Sequence, residues 1–333
     1  MHRRLFQVAL MVLLTISLIS CGPSQPQATG EPFIESTSAV SVEASQTVPT
    51  RTIALVMKTL TNPFFVEMEK GAREAESELD IQLIVKTAAQ ETSIQQQIAI
   101  VDELVKLKVD AIVIAPGDSK ELIPALVKAQ EAGIKVVNID NQLDADLSQK
   151  LGLVDVPFIS VDNEAGAYLS AKFISDKIVT PTKVIILEGI REARNAQDRL
   201  AGAERAFQEN PDVTIVASET AHWKIDEAYD VTSRLFQSNP DIGAIFCAND
   251  MMALGAVQYL EEKHFSNVQV AGFDNLQEAQ QAIKDGKMAA TIDQQAAVQG
   301  YMGVQYAVKL INGEKVDPLI YVDTILVTND TLK

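Results

Sequence analysis

Polar side chains stand directly behind short β-branched runs along this chain: Lys58 and Asn62, Asp140 and Asn141, Arg199, Asn249, Asp274 and Gln294. In open parallel sheets, ligands bind beyond the carboxyl ends of the strands, so residues that follow strands are the ones placed to do chemistry. Ammonium, guanidinium, carboxylate and amide groups together suit a polyhydroxylated ligand, whose hydroxyls both donate and accept. Charged partners make the stronger hydrogen bonds. Phe64, Phe65 and Trp223 supply flat apolar surface for the C–H faces of a ring. Simpler roles compete. Asn62 before Pro63 is a good helix cap with proline at the first helical position, and Asp250 before Met251-Met252-Ala253-Leu254 can serve as a cap too. Phe64 and Phe65 are neighbours on a helix, so one of them is expected to face a ligand.

Catalysis has little to work with. The chain has no G-x-G-x-x-G after a strand, no G-x-x-x-x-G-K-[ST], no G-x-S-x-G and no H-E-x-x-H, so the usual dinucleotide, phosphate, hydrolase and zinc signatures are missing. Two cysteines, Cys21 and Cys247, and three histidines leave no metal-ligand spacing and no disulfide framework. No cofactor or metal is expected. Cys247 reads as a buried strand residue. With 28 basic against 45 acidic residues, the net charge of −17 argues against a nucleic-acid partner or an anionic lipid surface.

The elements that must position these residues alternate. Strand-forming runs fall at residues 52–57, 81–86, 111–115, 135–140, 183–188, 213–217, 243–248, 268–273 and 288–292, with amphipathic stretches such as Phe65, Met68, Ala72, Ala75 and Leu79 between many of them. That order predicts an α/β fold with parallel sheets. The alternation restarts after a break near Phe158–Asn163, and the length exceeds what one core usually serves, so two doubly wound lobes are expected. A weak internal echo between residues 109–118 and 241–250 supports duplication.

The first fifty residues read as an address and a tether. His2-Arg3-Arg4 precedes an apolar run of about 15 residues, below the roughly 20 a spanning helix needs, so residues 1–20 are expected to be a signal peptide. Leu18-Ile19-Ser20-Cys21 resembles the bacterial lipobox, which implies lipidation at Cys21. Residues 22–50 are mostly Ser, Thr, Pro, Gln and Gly and read as a flexible linker. The expected location is therefore the cell envelope, on the extracytoplasmic side, with the membrane touched through the lipid anchor only.

From Thr52 onward the chain resembles the ribose-type periplasmic sugar-binding proteins, the substrate-binding components of ABC importers. The likeness is carried by Thr52–Val56 running into Asn62-Pro63-Phe64-Phe65, by Asp140, by Arg199-Leu200-Ala201-Gly202, by Phe246–Ala256, by Gly272-Phe273-Asp274 and by Ala290–Gln294. It implies a type I binding-protein fold, lobes of about 52–161 plus 295–322 and 162–294 plus 323–333, three crossings between them, and ligand contacts at Asn62, Phe64, Phe65, Asp140, Arg199, Trp223, Asn249, Asp274 and Gln294. It further implies a monosaccharide ligand, permease and ATPase partners, and a protein acting as a monomer and not as an enzyme. Lys58 stands where ribose binders carry a small serine, Asn141 where they carry arginine, and Trp223 where they carry phenylalanine. These departures resemble the allose-binding branch and point to a pyranose hexose or a related ring, with Lys58 donating to a hydroxyl that ribose lacks. A sensor that presents the sugar to a chemoreceptor or histidine kinase is the alternative.

Overall fold

The computed structural model describes residues 51–332; the signal segment, Cys21 and the linker lie outside them. In chain order the first part reads β1 (Thr52–Met57), α1 (Pro63–Leu79), β2 (Gln82–Thr87), α2 (Ile94–Leu107), β3 (Ala111–Ile114), α3 (Ile123–Glu131), β4 (Lys135–Ile139), α4 (Ala145–Leu151) and β5 (Phe158–Val161). The second part reads α5 (Asn163–Ser175), β6 (Thr182–Glu188), α6 (Arg194–Gln208), β7 (Val213–Thr220), α7 (Ile225–Ser238), β8 (Ile242–Cys247), α8 (Asp250–Glu262), β9 (Gln269–Ala271), α9 (Gln277–Lys284) and β10 (Ala290–Asp293). The chain ends with α10 (Ala296–Ile311), β11 (Leu319–Val322) and β12 (Ile325–Thr328).

Strand β1 shows why these runs make parallel sheets. Ile53, Leu55 and Met57 pack on one face, and Ala54 and Val56 on the other, all fully buried. A strand covered by helices on both sides must be apolar on both. Helix α1 begins where Asn62 Oδ1 accepts the Phe64 N–H at 3.0 Å and Pro63 occupies the first turn. It ends at Asp80, whose backbone turns left-handed.

The strands form two six-stranded sheets, ordered β2-β1-β3-β4-β5-β11 and β7-β6-β8-β9-β10-β12. Every pairing is parallel except β10 with β12. The two orders are the same, and the echoing segments 109–118 and 241–250 hold β3 and β8, which occupy equivalent places. The chain passes from the first sheet to the second after Val161, returns after Asp293, and crosses again between Val322 and Ile325. Helix α5 packs on the second sheet and α10 on the first.

One expectation is corrected, and two strands go beyond the runs read from sequence. The break near Phe158–Asn163 is a strand, β5, followed at once by Asp162, whose carboxylate caps α5 through the Ala165 N–H. Strands β11 and β12 have no counterpart in the runs read from sequence. Each is only four residues long and takes its partner, β5 or β10, from far along the chain, so no local period announces it.

Candidate functional site

Doubly wound sheets of this order reverse direction between the first and third strands, and the crevice that opens there lies beyond the strand ends. Here two such crevices face each other. The cleft between them is lined by Lys58, Asn62, Phe64, Phe65, Glu91 and Asp140 from the first sheet's side and Asn195, Arg199, Trp223, Asn249, Asp274 and Gln294 from the second's.

Each side chain is held by the element before it. Lys58 follows β1, and its Nζ lies 2.8 Å from Asp140 Oδ2 and 4.0 Å from Glu91 Oε2. Asn62 caps α1 with its carbonyl and donates its amide to Glu91 Oε1 at 3.0 Å. Phe64 and Phe65 meet edge to face, with centroids 5.1 Å apart. Both line the cleft, which corrects the expectation of one; the first turn of α1 enters the cleft end-on and presents both rings. Asn249 is likewise bifunctional: Oδ1 accepts the Met252 N–H as the cap of α8, while Nδ2 donates to Trp223 O. The cap is therefore Asn249, one residue earlier than the Asp250 reading.

Arg199 is the hub of the second side. Its guanidinium donates to Asn163 Oδ1 at 2.9 Å, Ala248 O at 2.8 Å and Gln294 Oε1 at 3.2 Å, and stands 3.7 Å from Asp274 Oδ1. Its plane lies 3.8 Å from the Phe273 ring centroid, and Trp223 closes over it at 5.5 Å. Trp223 reaches this place because position 189 is glycine: a Cβ there would sit 2.0 Å from the indole. Gln294 Nε2 donates to Asp274 Oδ1 at 2.6 Å.

Burial sets the electrostatics. It pushes the Asp274 carboxyl well above the ordinary range, with Arg199 pulling the other way. It also raises Glu91, against Lys58 and the Asn62 hydrogen bond. Arg199 is lowered by the same burial, opposed by Asp274, Asp140 and Glu91. Three cleft-lining polar atoms are buried without a hydrogen-bond partner among the described residues, Asp140 Oδ2, Trp223 Nε1 and Asn195 Oδ1, and only the first of them is answered by a charge, the Lys58 ammonium. Since buried polar groups rarely stay unpaired, a donor and an acceptor are on offer to a ligand. Among the described residues no group of three or more His, Cys, Asp or Glu has the arrangement of a metal site.

Of the residues expected from sequence, Lys58, Asn62, Phe64, Phe65, Asp140, Arg199, Trp223, Asn249, Asp274 and Gln294 converge on the cleft. Asn141 does not. It is fully buried behind Asp140, where Nδ2 donates to Pro116 O and Ser119 Oγ and Oδ1 accepts the Asn195 N–H at 3.2 Å. Sequence reasoning missed Glu91 and Asn195. The strand-end rule applied to β2 finds Glu91, and helical spacing of four residues from Arg199 finds Asn195.

Asn141 takes part in a direct contact between the two sides. Helix α6 has Ala193 at its cap position and no side chain of its own to cap it. Its free Arg194 and Asn195 N–H groups donate instead to Ser119 Oγ at 3.0 Å and Asn141 Oδ1 at 3.2 Å, both from the first sheet's side.

Residues 53–315 match the periplasmic binding protein domain family. A D-ribose/D-allose-binding protein of Pseudomonas aeruginosa is 40% identical over 267 residues, which cover 79% of this chain and 82% of the relative. A D-allose-binding periplasmic protein of Escherichia coli is 34% identical over 283 residues, covering 83% and 91%. Among solved structures, an ABC transporter periplasmic solute binding protein from Actinobacillus succinogenes with bound D-allose matches with a TM-score of 0.81 at 40% identity, over 85% of this chain and 99% of that one.

Proposed function

The chain belongs to the periplasmic binding protein family, and we propose that it is the substrate-binding component of an ABC importer, binding a monosaccharide of the D-allose or D-ribose kind. The observation that carries this reading is the cleft, where charged and amide groups from two sheets converge with aromatic rings and where a donor, Trp223 Nε1, and an acceptor, Asn195 Oδ1, are left without a hydrogen-bond partner. Lys58, Asn62, Asp140, Arg199, Asn249, Asp274 and Gln294 bind hydroxyls; Phe64, Phe65 and Trp223 cover the ring. Glu91 and Asn195 join them. No bond is made or broken, so the work is equilibrium binding and delivery to the permease.

The lobes, 52–161 plus 295–322 and 162–294 plus 323–333, close by rotation about the three crossings. A ligand favours closure only as far as it binds the closed form better, which needs contacts from both sides. The protein acts as a monomer outside the cytoplasmic membrane, tethered through a lipid on Cys21 and the linker that follows. The test is ligand-dependent melting with D-allose, D-ribose, D-glucose and myo-inositol. At a hundredfold excess over Kd, a sugar bound only by the folded form adds about 2.7 kcal/mol, or very roughly 5–10 °C for a domain of this size. No rise with any of them sinks the monosaccharide reading.

The cross-lobe cap of α6 gives a second expected result. Replacing Ser119 and Asn141 together by alanine removes acceptors worth about 1–2 kcal/mol without touching the ligand. Affinities for D-allose and D-ribose should then fall by one common factor, about 5–30-fold, in calorimetric titrations. Unequal factors would mean that Asn141 reads the sugar itself.

A further inference from the structure

The turn that carries Asp274 runs against its own backbone preference. Asp274 has φ 132° and Asn275 φ 60°, two successive non-glycine residues in territory that favours glycine. Such a backbone persists only where its surroundings over-determine it. Three consecutive N–H groups of this turn are held here: Asp274 donates to Ile292 O at 2.8 Å, Asn275 to Thr291 Oγ1 at 3.2 Å and Leu276 to Asp250 Oδ2 at 2.9 Å. The Thr291 hydroxyl in turn donates to Asp250 Oδ1 at 2.7 Å. One carboxylate and one hydroxyl thus lock two amides of the turn to each other, from α8 and β10.

Neither Asp250 nor Thr291 lines the cleft, and both are wholly buried. Space has been left for the carboxylate, because a Cβ at Gly272 would stand 2.2 Å from Asp250 Oδ1. Burial raises the Asp250 carboxyl to about 6 while hydrogen bonds from Leu276 and Thr291 pull it down. A carboxylate kept there against its desolvation serves something other than packing.

We propose that Asp250 and Thr291 are positioning residues for ligand binding: together they hold the Asp274–Asn275 turn in the left-handed conformation from which the Asp274 carboxylate meets Arg199, Gln294 and the ligand. The inference rests on the sugar-binding reading. Thr291→Val keeps the shape and deletes the bridging hydroxyl; Thr291→Ser restores it. Two measurements on the whole chain test the clamp: calorimetric titration with D-allose and D-ribose, and amide hydrogen exchange at Asn275 and Leu276 in the ligand-free protein.

Thr291→Val should bind at least about tenfold more weakly and exchange at least about tenfold faster at these two amides, as expected for a buried donor left unpaired. Thr291→Ser should stay within about threefold of wild type in both. A Thr291→Val protein that melts earlier but binds and exchanges as wild type would overturn the proposal, as would a Thr291→Ser protein as weak as Thr291→Val. If the unaltered protein takes up neither sugar, the monosaccharide reading fails and the exchange measurement alone decides the clamp. Should Thr291→Val not fold, Asp250→Ala carries the same test, since it removes the acceptor of both the Leu276 N–H and the Thr291 hydroxyl.

Discussion

Replacing Arg199 by alanine should destabilise the protein by about 3–5 kcal/mol and abolish sugar binding, one of the two largest effects expected of single changes in the cleft. The guanidinium is 3% exposed and is spent on three acceptors, Asn163 Oδ1, Ala248 O and Gln294 Oε1. Alanine strips all three and leaves Asp274 buried without its cation, in a place where burial already raises the carboxyl. Partial rescue separates charge from shape. Arg199→Lys keeps a cation but cannot reproduce the planar fork, so it should recover stability without recovering affinity. Adding Asp274→Asn to Arg199→Ala should recover stability too, because it removes the orphaned charge. Urea unfolding with constant m values reads these differences. An Arg199→Ala protein within about 1 kcal/mol of wild type would show that Asp274 has another partner.

Much of this fold is written locally. Runs such as Ile53–Met57 and Ile242–Cys247 are apolar on both faces, which only a sheet covered on both sides tolerates, and their alternation with amphipathic helices leaves a parallel topology as the simple outcome. What stays hidden is pairing over long range. β11 joins β5 and β12 joins β10 across more than a hundred and about thirty residues, respectively, and in Leu319-Ile320-Tyr321-Val322 only Val322 is buried, too short a signal to announce a strand.

The site was legible for a topological reason: residues after parallel strands converge wherever the sheets put their carboxyl ends. Asp140 illustrates both the strength and the limit of that rule. It enters the cleft, while Asn141 beside it turns to Ser119 and Asn195, since consecutive residues leave a strand end in different directions. Sequence adjacency marks both and cannot choose between them. The strain at Asp140, Trp223 and Asp274, all non-glycine with positive φ, was not legible at all. Nothing in a residue's type announces that its neighbours will hold it there, and Asp250, read only as a cap, is where that holding shows.

The second large effect lies on the opposite wall of the cleft. Lys58→Met should cost about 3–5 kcal/mol and eliminate sugar binding, because Asp140 and Glu91 would then share a buried space with no cation between them. Lys58 Nζ is 2.8 Å from Asp140 and both side chains are 3% exposed, so the pair is strongly coupled. Asp140→Asn makes the matching single variant. Asparagine tolerates the left-handed backbone that position 140 adopts, with φ 64°, and the Ser160 hydroxyl bonds the main-chain carbonyl, which the substitution leaves in place. The double variant Lys58→Met/Asp140→Asn should therefore be more stable than Lys58→Met alone, with a coupling energy of about 0.5–3 kcal/mol from a full unfolding cycle. Binding should not return with stability, since the cation proposed to meet the ligand is still missing. A coupling near zero would place the charge balance of Lys58 with Glu91 instead, and the cycle repeated with Glu91→Gln would then give the greater coupling energy.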